Sequence, residues 1–403
     1  MAPLQILRDL HKASSSKIVL LVLDGLGGLP RTSDGKTELE AAKTPHMDQL
    51  AQQGSLGAIV PLGPGLTPGS GPAHLALFGY DPIAQPVGRG VLESIGVGLE
   101  VRRGDVAARG NFCTVDAQGR ITDRRAGRIP GEMAAPIAER LATIRVDGAE
   151  TVVRHVREHR FAVVFRGSGL HPALADTDPQ ATGVAPLPVQ AADPAAERTG
   201  RIVQAWIDQA FDLLRSEPLA NGLTLRGFST DPALDPFPEA FGVRAGCVAV
   251  YPMYRGVSAL VGMRVVDFDG ETPAEEFRAA AAAWDDFDFF FIHVKKPDSR
   301  GEDGDFEAKA LAIEEVDQAL PALLDLKPDV LAITGDHSTP SQMRSHSWHP
   351  VPLLLWAPAT ARVDHAHAFG EAACAAGGLG TIPSASLMPL LLAHAGRLEK
   401  YGA

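Results

Sequence analysis

Apolar residues run with little or no interruption in several short stretches, each closed by polar or turn-forming residues. They include Ile18 to Leu23, Phe287 to Val294 within "DFDFFFIHVKKPD", Val330 to Ile333, and "VPLLLWAP" from Val351. Runs of this length that do not alternate predict strands buried on both faces, as in a parallel sheet covered by helices. Helical patterns lie between them. "TPHMDQLAQQG" has Thr44 as a candidate N-cap, Pro45 in the first turn and Gly54 as the stop. "DFEAKALAIEEVDQALPALLDL" opens on Asp305 as a candidate cap, and "SASLMPLLLAHAGRL" predicts a closing helix. "GSGPAHLALFGYDP", Gly69 to Pro82, predicts a tight glycine turn opening a short helix.

The texture changes between about Arg102 and Gly256. "ARGNFCTVD" and "EHRFAVVFRGSG" predict strands, "DRRAGRIP" an arginine-dense loop, and "PGEMAAPIAERLATI" a helix. Ile202, Trp206, Ile207, Ala210, Phe211 and Leu214 fall close to helical spacing. Mixed strands and helices here predict a separate α+β layer. No internal repeat is evident. The fold class expected is α/β. A core with a mainly parallel sheet flanked by helices forms from residues 1–98 and 262–403, and an inserted α+β domain spans 99–261.

Composition narrows the options. The chain has 403 residues, 45% of them hydrophobic, which suits a globular fold with a sizeable core. No apolar stretch approaches the roughly 20 residues that span a bilayer, and "MAPLQILRDLHK" lacks the apolar centre of a secretory signal. Cys113, Cys247 and Cys374 are far apart in sequence and form no C-x-x-C pair, so a cytoplasmic location without structural disulfides is expected. A formal net charge of −12 argues against nucleic acid or an anionic membrane as partner. An anionic small substrate remains compatible, because bound cations and arginines can reverse the field of one site.

Asp24, Asp298 and Asp336 are each expected to terminate an apolar strand, "DFDFFFIHVKKPD" reading as a strand that ends at Asp298. In "DVLAITGDHSTP" the plainer reading of Gly-Asp-His-Ser is a turn; the sharper reading is a pair of metal ligands, Asp336 and His337. Sites in parallel α/β sheets form outside the carboxyl ends of strands, where three such aspartates would converge and need neutralising. "MRSHSWHPVP" adds His346 and His349. A mixed carboxylate and imidazole set suits zinc or manganese better than calcium. Glu302 lies four residues past Asp298, close enough to share a metal if the chain turns back, although "DSRGEDGD" also reads as a solvated loop. Ser70 sits between glycines ahead of Pro72. It is either an N-cap or a nucleophile that a metal could activate. Arg109, Arg124, Arg125, Arg128, Arg166 and Arg255 crowd the middle of the chain. As a group beside glycines they suit oxyanion clamps, since guanidinium matches phosphate and carboxylate in pairs of bonds.

Six ordered motifs carry a resemblance: "VLDGLGG…GKTELEAAKTPHMDQLA", "TPGSGPAHLALFGYDP", "GDVAARGNFCTVD…DRRAGRI", "YPMYRGVSALVGM", "HVKKPDSRGEDGDFEAK" and "TGDHSTP…HSWHPVP". Together they resemble the archaeal-type, cofactor-independent phosphoglycerate mutases of the alkaline phosphatase superfamily. The resemblance implies two divalent ions (manganese, magnesium or zinc), no 2,3-bisphosphoglycerate, and a phosphoserine intermediate in the interconversion of 3- and 2-phosphoglycerate, a step of glycolysis and gluconeogenesis. It places Asp24, Ser70, Asp336 and His337 around one metal, and Asp298, Glu302 and His346 around the other. Lys295 would face the phosphoryl group, and Arg109, Asn111, Asp123, Arg124, Arg128 and Arg255 would bind a small phosphorylated substrate. The sequence departs from the family in two places: Glu302 stands where a histidine is expected, with His349 as an alternative ligand, and Ser70-Gly71-Pro72-Ala73-His74 replaces Ser-Asp-Thr-Ala-His. A phosphatase, a mutase of another phosphorylated or phosphonate compound, and a non-catalytic metal-binding protein are the rival expectations.

Overall fold

A computed structural model describes residues 4–364 and 366–402. The apolar runs become strands. In chain order the described strands are β1 (Ile18–Leu23), β2 (Ser55–Val60), β3 (Val106–Val115), β4 (Ile121–Asp123), β5 (Glu150–Arg157), β6 (Arg160–Arg166), β7 (Gly222–Ser229), β8 (Ala245–Ala249), β9 (Arg264–Val265), β10 (Phe289–Val294), β11 (Val330–Thr334), β12 (Val351–Trp356) and β13 (Gly380–Pro383). The chain divides into two compact units, one from Met1–Gln85 with Asp235–Ala403 and one from Pro86–Leu234.

The first unit holds a sheet in the order β13-β2-β12-β11-β1-β10-β8-β9. It is mainly parallel; only β12 runs antiparallel to its neighbours β11 and β2. Every residue of β1, β10 and β11 is buried, which is why these strands read as unbroken apolar runs. Register then positions the chemistry. Leu23 pairs with Val294, and Val22 with Thr334, so β1, β10 and β11 stop at one edge of the sheet. Asp24 follows β1 directly, the helix Lys296–Asp303 follows β10, and Asp336 follows β11.

Local signals behave as their chemistry dictates. The helix Pro45–Gln53 starts on Pro45, with Thr44 in the cap position but making no side-chain cap bond; it buries Met47, Leu50 and Ala51 and ends at Gly54. Asp305 caps the helix Phe306–Leu324 by accepting from the Ala308 N–H. Thr37 and Thr272 each form a reciprocal capping box with a glutamate three residues on.

In the second unit β3 lies between β6 and β7, antiparallel to both, with β5 beyond β6 and β4 paired to the end of β3. The helices Gly131–Leu141 and Glu197–Leu214 contribute to a core with Phe112, Phe161, Phe165 and Trp206. Trp206 is fully buried, with the Phe165 ring edge-on at 5.8 Å. No helix among the described residues is long and apolar enough to cross a membrane.

Three expectations need correcting. The unit limits fall earlier than 98/99 and 261/262: the helix Arg89–Gly96 packs on β3, while β8 pairs in parallel with β10 and so belongs to the first unit's sheet, and the helix Pro252–Leu260 carrying Arg255 lies in the same unit. Asp298 does not end a strand; β10 stops at Val294, and Pro297 helps start the helix that holds Asp298 in its first turn. Ser70 is not a cap but the first residue of the helix Ser70–Leu77, with Gly69 in the cap position.

Trp206→Ala removes the largest fully buried side chain. It should cost about 3–5 kcal/mol in denaturant unfolding; a loss under about 1 kcal/mol would mean that the core around it collapses to fill the space.

Candidate active site

Asp24, Asp336 and His337 are all fully buried, and their ligating atoms lie within 4.8 Å of one another. His337 Nε2 stands 3.4 Å from Asp24 Oδ1, 3.1 Å from Asp336 Oδ2 and 3.4 Å from Ser70 Oγ. The other ring nitrogen fixes where the proton sits. Thr339 Oγ1 donates to Asp298 Oδ1 at 2.6 Å, which commits its only proton. At 3.0 Å from His337 Nδ1 it therefore accepts, so Nδ1 carries the imidazole proton. Nε2 then presents a lone pair towards two carboxylate oxygens. Asp24 Oδ1 and Asp336 Oδ2 have no hydrogen-bond partner. Electron pairs facing one another in a buried place call for positive charge between them, a retained proton or a cation, and this donor set suits a divalent metal.

A second cluster adjoins the first. Asp298, His337 and His346 also bring ligating atoms within 4.8 Å of one another. His346 Nδ1 donates to the Pro68 carbonyl at 2.9 Å, leaving Nε2 free to ligate, 3.7 Å from Asp298 Oδ1 and 3.9 Å from Glu302 Oε1. Glu302 reaches this place because it lies on the helix Lys296–Asp303, one turn after Asp298. The acidic stretch is thus helix, not loop, as far as Asp303. His349 turns elsewhere: its Nδ1 meets Ser347 Oγ at 3.0 Å, and it lines a separate cavity with Leu29, Glu371 and Cys374.

Charges at the centre are unequal. Burial pushes the Asp24 carboxyl up, but Lys295, His293 and His337 more than reverse this and hold it well below the ordinary carboxylate value. Burial raises Asp336 far above that value, and the charges of Asp24 and Asp298 raise it further. Burial alone would lower Lys295; Asp24, Tyr254 and Asp298 overcome it and raise this lysine instead. Its ammonium bonds to Asp24 Oδ2 at 2.9 Å and to Asp298 Oδ2, so it already serves as one cation between two of the three carboxylates. Burial keeps His337 neutral by lowering it well below the usual imidazole value.

Several supporting residues escaped the sequence reading. The Tyr254 hydroxyl donates to Asp24 Oδ2, and its ring stacks on His293 at 3.6 Å. His293 Nε2 lies 3.2 Å from the same oxygen. His74 Nδ1 donates to the Ser70 carbonyl at 2.8 Å and lies 3.3 Å from Asp336 Oδ2; burial lowers its pKa to about 3. His293 and His74 sit among apolar neighbours, so only the burial of a polar side chain inside an apolar run could have flagged them. Gly25 permits the crowding: at φ +64° it is in the left-handed region, and a Cβ there would meet Thr339 Oγ1 at 2.6 Å.

Most of the expected substrate residues already have side-chain partners in the protein. Arg109 pairs with Glu93 at 3.0 Å and meets Asn111 Oδ1 at 3.2 Å. Arg124 grips Asp178 with two bonds, and Arg166 grips Asp105. Asp123 accepts from the Arg125 and Gly127 N–H groups and so shapes the loop holding Arg128. Arg255 pairs with Asp267. Among the described residues neither Arg125 nor Arg128 forms an ion pair with the protein.

Carboxylates, imidazoles and a serine gathered at the carboxyl edge of a parallel sheet define an α/β enzyme with a candidate metal centre. Comparison with known proteins makes the class specific. The family model for 2,3-bisphosphoglycerate-independent phosphoglycerate mutase matches residues 51–220. A Thermus thermophilus protein named as a probable 2,3-bisphosphoglycerate-independent phosphoglycerate mutase is 50% identical over 402 residues, covering 99% of each chain. An Aquifex aeolicus protein of the same name is 48% identical over 409 residues, covering 99% of this chain and 100% of that one. Among solved structures, a Pyrococcus horikoshii protein superposes with TM-score 0.84 at 31% identity, covering 96% of this chain and 99% of that one. The cofactor-independent phosphoglycerate mutase of Thermoplasma acidophilum gives 0.73 at 29%, covering 94% and 100%. The chain belongs to the 2,3-bisphosphoglycerate-independent phosphoglycerate mutases, a family of isomerases.

The raised Asp336 carboxyl has a pH consequence. Between the ordinary carboxylate value and its own, the folded chain without metal holds a proton that the unfolded chain has lost. Its contribution to stability therefore falls as pH rises through that window. A bound divalent cation should remove this slope and displace the proton. Melting curves against pH in chelator and in Mn²⁺, with proton release followed on Mn²⁺ addition, check this; identical slopes and no released proton would contradict it.

Proposed function

We propose that this chain interconverts 3-phosphoglycerate and 2-phosphoglycerate without 2,3-bisphosphoglycerate, through a phosphoserine at Ser70. The observation that carries the reading is the convergence of Ser70 Oγ with the His337 lone-pair edge and two unpartnered carboxylate oxygens. Asp24, Asp336, His337 and Ser70 would hold one divalent cation, and Asp298, His346 and Glu302 a second. When bound, such cations lower the pKa of a serine hydroxyl and neutralise the oxygens of a transferring phosphoryl group.

The chain's own residues then have defined tasks. Ser70 Oγ releases its proton and attacks the phosphorus of 3-phosphoglycerate. The Oγ–P bond forms as the bond from phosphorus to the 3-oxygen breaks, and that oxygen keeps the electron pair and gains a proton. Lys295 presents its ammonium to the phosphoryl oxygens. Arg109, Asn111, Asp123, Arg124, Arg128 and Arg255 are the proposed holders of the glycerate carboxylate and hydroxyls; Arg124 and Arg255 would exchange their carboxylate partners for it. Glycerate reorients without leaving, its 2-oxygen attacks the phosphoserine, and Ser70 Oγ departs with a proton regained. Water must be excluded meanwhile, since it would release free phosphate. A small anionic substrate of glycolysis and gluconeogenesis fits a cytoplasmic setting.

The test is 3-phosphoglycerate conversion with no bisphosphoglycerate added. Formation of 2-phosphoglycerate should cease on chelation and return with Mn²⁺, Mg²⁺ or Zn²⁺. Ser70→Ala should lower the rate on the order of 10⁴-fold or more, and the Ser70 peptide should carry phosphate after a quench. Release of free phosphate with no 2-phosphoglycerate would overturn the mutase reading.

Glu302 carries a separate prediction. An oxygen ligand favours harder ions and an imidazole favours zinc or manganese. Glu302→His should shift the activating preference from Mg²⁺ towards Zn²⁺ or Mn²⁺; an unchanged order of metals would remove Glu302 from the ligand set.

A further inference from the structure

Lys309 is fully buried, yet no carboxylate lies within ion-pair distance of it among the described residues. Burying an ammonium without a close counter-charge is costly, so its surroundings need a reason. Its Nζ donates to two main-chain carbonyls, that of Gly27 at 3.0 Å and that of Thr339 at 2.8 Å. Gly27 belongs to the loop that begins with Asp24. Thr339 belongs to the loop that carries Asp336 and His337. The lysine reaches them from the helix Phe306–Leu324, whose start is fixed by the Asp305 cap.

These carbonyls lie where the ligand-bearing loops cross. The Thr339 N–H donates to the Gly27 carbonyl at 3.0 Å, and its hydroxyl joins Asp298 to His337. Gly301 presses against the same residue: a Cβ there would stand 2.3 Å from the Thr339 carbonyl oxygen. The Asp24, Asp298 and Asp336 segments thus meet around Thr339, with the ammonium beneath. Glu38, one of whose carboxylate oxygens is buried and unpartnered, and Glu371 supply negative charge further off.

We propose that Lys309 is a positioning residue, tying the Asp24 loop to the Asp336–His337 loop so that their side chains are held ready for a divalent cation. The proposal rests on the metal-centre reading above. It separates Lys309 from Lys295, which touches the carboxylates themselves. Removing the ammonium leaves the loops joined only by backbone bonds such as that from the Thr339 N–H to the Gly27 carbonyl, so their crossing loosens and metal affinity falls although every ligand remains.

The experiment measures Mn²⁺ affinity calorimetrically for the full chain, for Lys309→Met, for Lys309→Gln and for Asp317→Asn. Asp317 is a structural control on the same helix, buried and accepting the Met47 N–H at 2.8 Å. Lys309→Met should weaken Mn²⁺ binding about 10–100-fold. Lys309→Gln, too short to hold both carbonyls, should lose less. Asp317→Asn should keep wild-type affinity even if it melts earlier. At saturating Mn²⁺ the KM for 3-phosphoglycerate should be unchanged in the Lys309 variants. Wild-type affinity in whichever Lys309 variant folds, or an equal loss in Asp317→Asn, overturns the proposal while leaving the metal centre standing. A parent chain that binds no Mn²⁺ defeats the metal-centre reading and this inference with it.

Discussion

Three carboxylates cannot share a buried place without positive charge among them. Asp24, Asp298 and Asp336 are each at most 1% exposed. Two unit charges about 4 Å apart interact by roughly 4 kcal/mol at an effective dielectric near 20, and burial adds a desolvation cost for each. Lys295 answers part of this by bonding to Asp24 and Asp298. The remainder falls on Asp336, whose carboxyl is driven towards its neutral form. A lysine and a retained proton are what the polypeptide alone can offer, and divalent cations answer the same demand more fully.

The scaffold that enforces this crowding is simple. Parallel neighbours β10, β1 and β11 end level with one another, so the residues that follow have one edge to occupy. The strands are buried on both faces, and a shift of register would draw flanking polar residues such as Lys17 or Asp24 into the apolar interior. Strain is therefore taken up in the loops: Gly25 accepts a left-handed backbone, Gly301 admits the Thr339 carbonyl, and Thr339 threads one hydroxyl between two candidate ligands. Stability in the sheet supports an unfavourable arrangement at its edge, as functional sites commonly require.

Where a residue's surroundings are written in its near neighbours, the sequence was readable. Unbroken apolar runs gave β1, β10, β11 and β12, and Asp24 and Asp336 stood out because each follows such a run. Asp298 was picked for a partly mistaken reason. It is in a helix rather than at a strand end, but the strand before that helix delivers it to the same edge. The supporting shell was not readable. His293 lies inside "FFFIHV" and His74 inside "AHLAL", where a histidine looks like one more core residue until its contacts are known. Lys309 and Tyr254 reach the centre through distant pairings that no local pattern encodes. The unit limits shifted for the same reason: β8 resembles its neighbours in sequence, and only its pairing with β10 assigns it to the first sheet.

The two clusters differ in a way that bears on how a phosphoryl group could be passed and taken back. Asp24 and His337 are sealed, with both side chains 0% exposed, and Asp298 of the second cluster is nearly so, whereas its other members are more open, His346 at 20% and Glu302 at 55% exposed. Sealed side chains have already lost their rotamer freedom, so ligation asks little more of them. Glu302 still has that freedom to lose, on the order of 1.5–2 kcal/mol for a glutamate. The serine adjoins the sealed cluster. In the proposed reaction the nucleophile must stay fixed while glycerate turns between attacks, so rigidity belongs on its side. On that proposal the more exposed cluster, with Glu302 in it, is the side on which ligands would exchange as the substrate reorients.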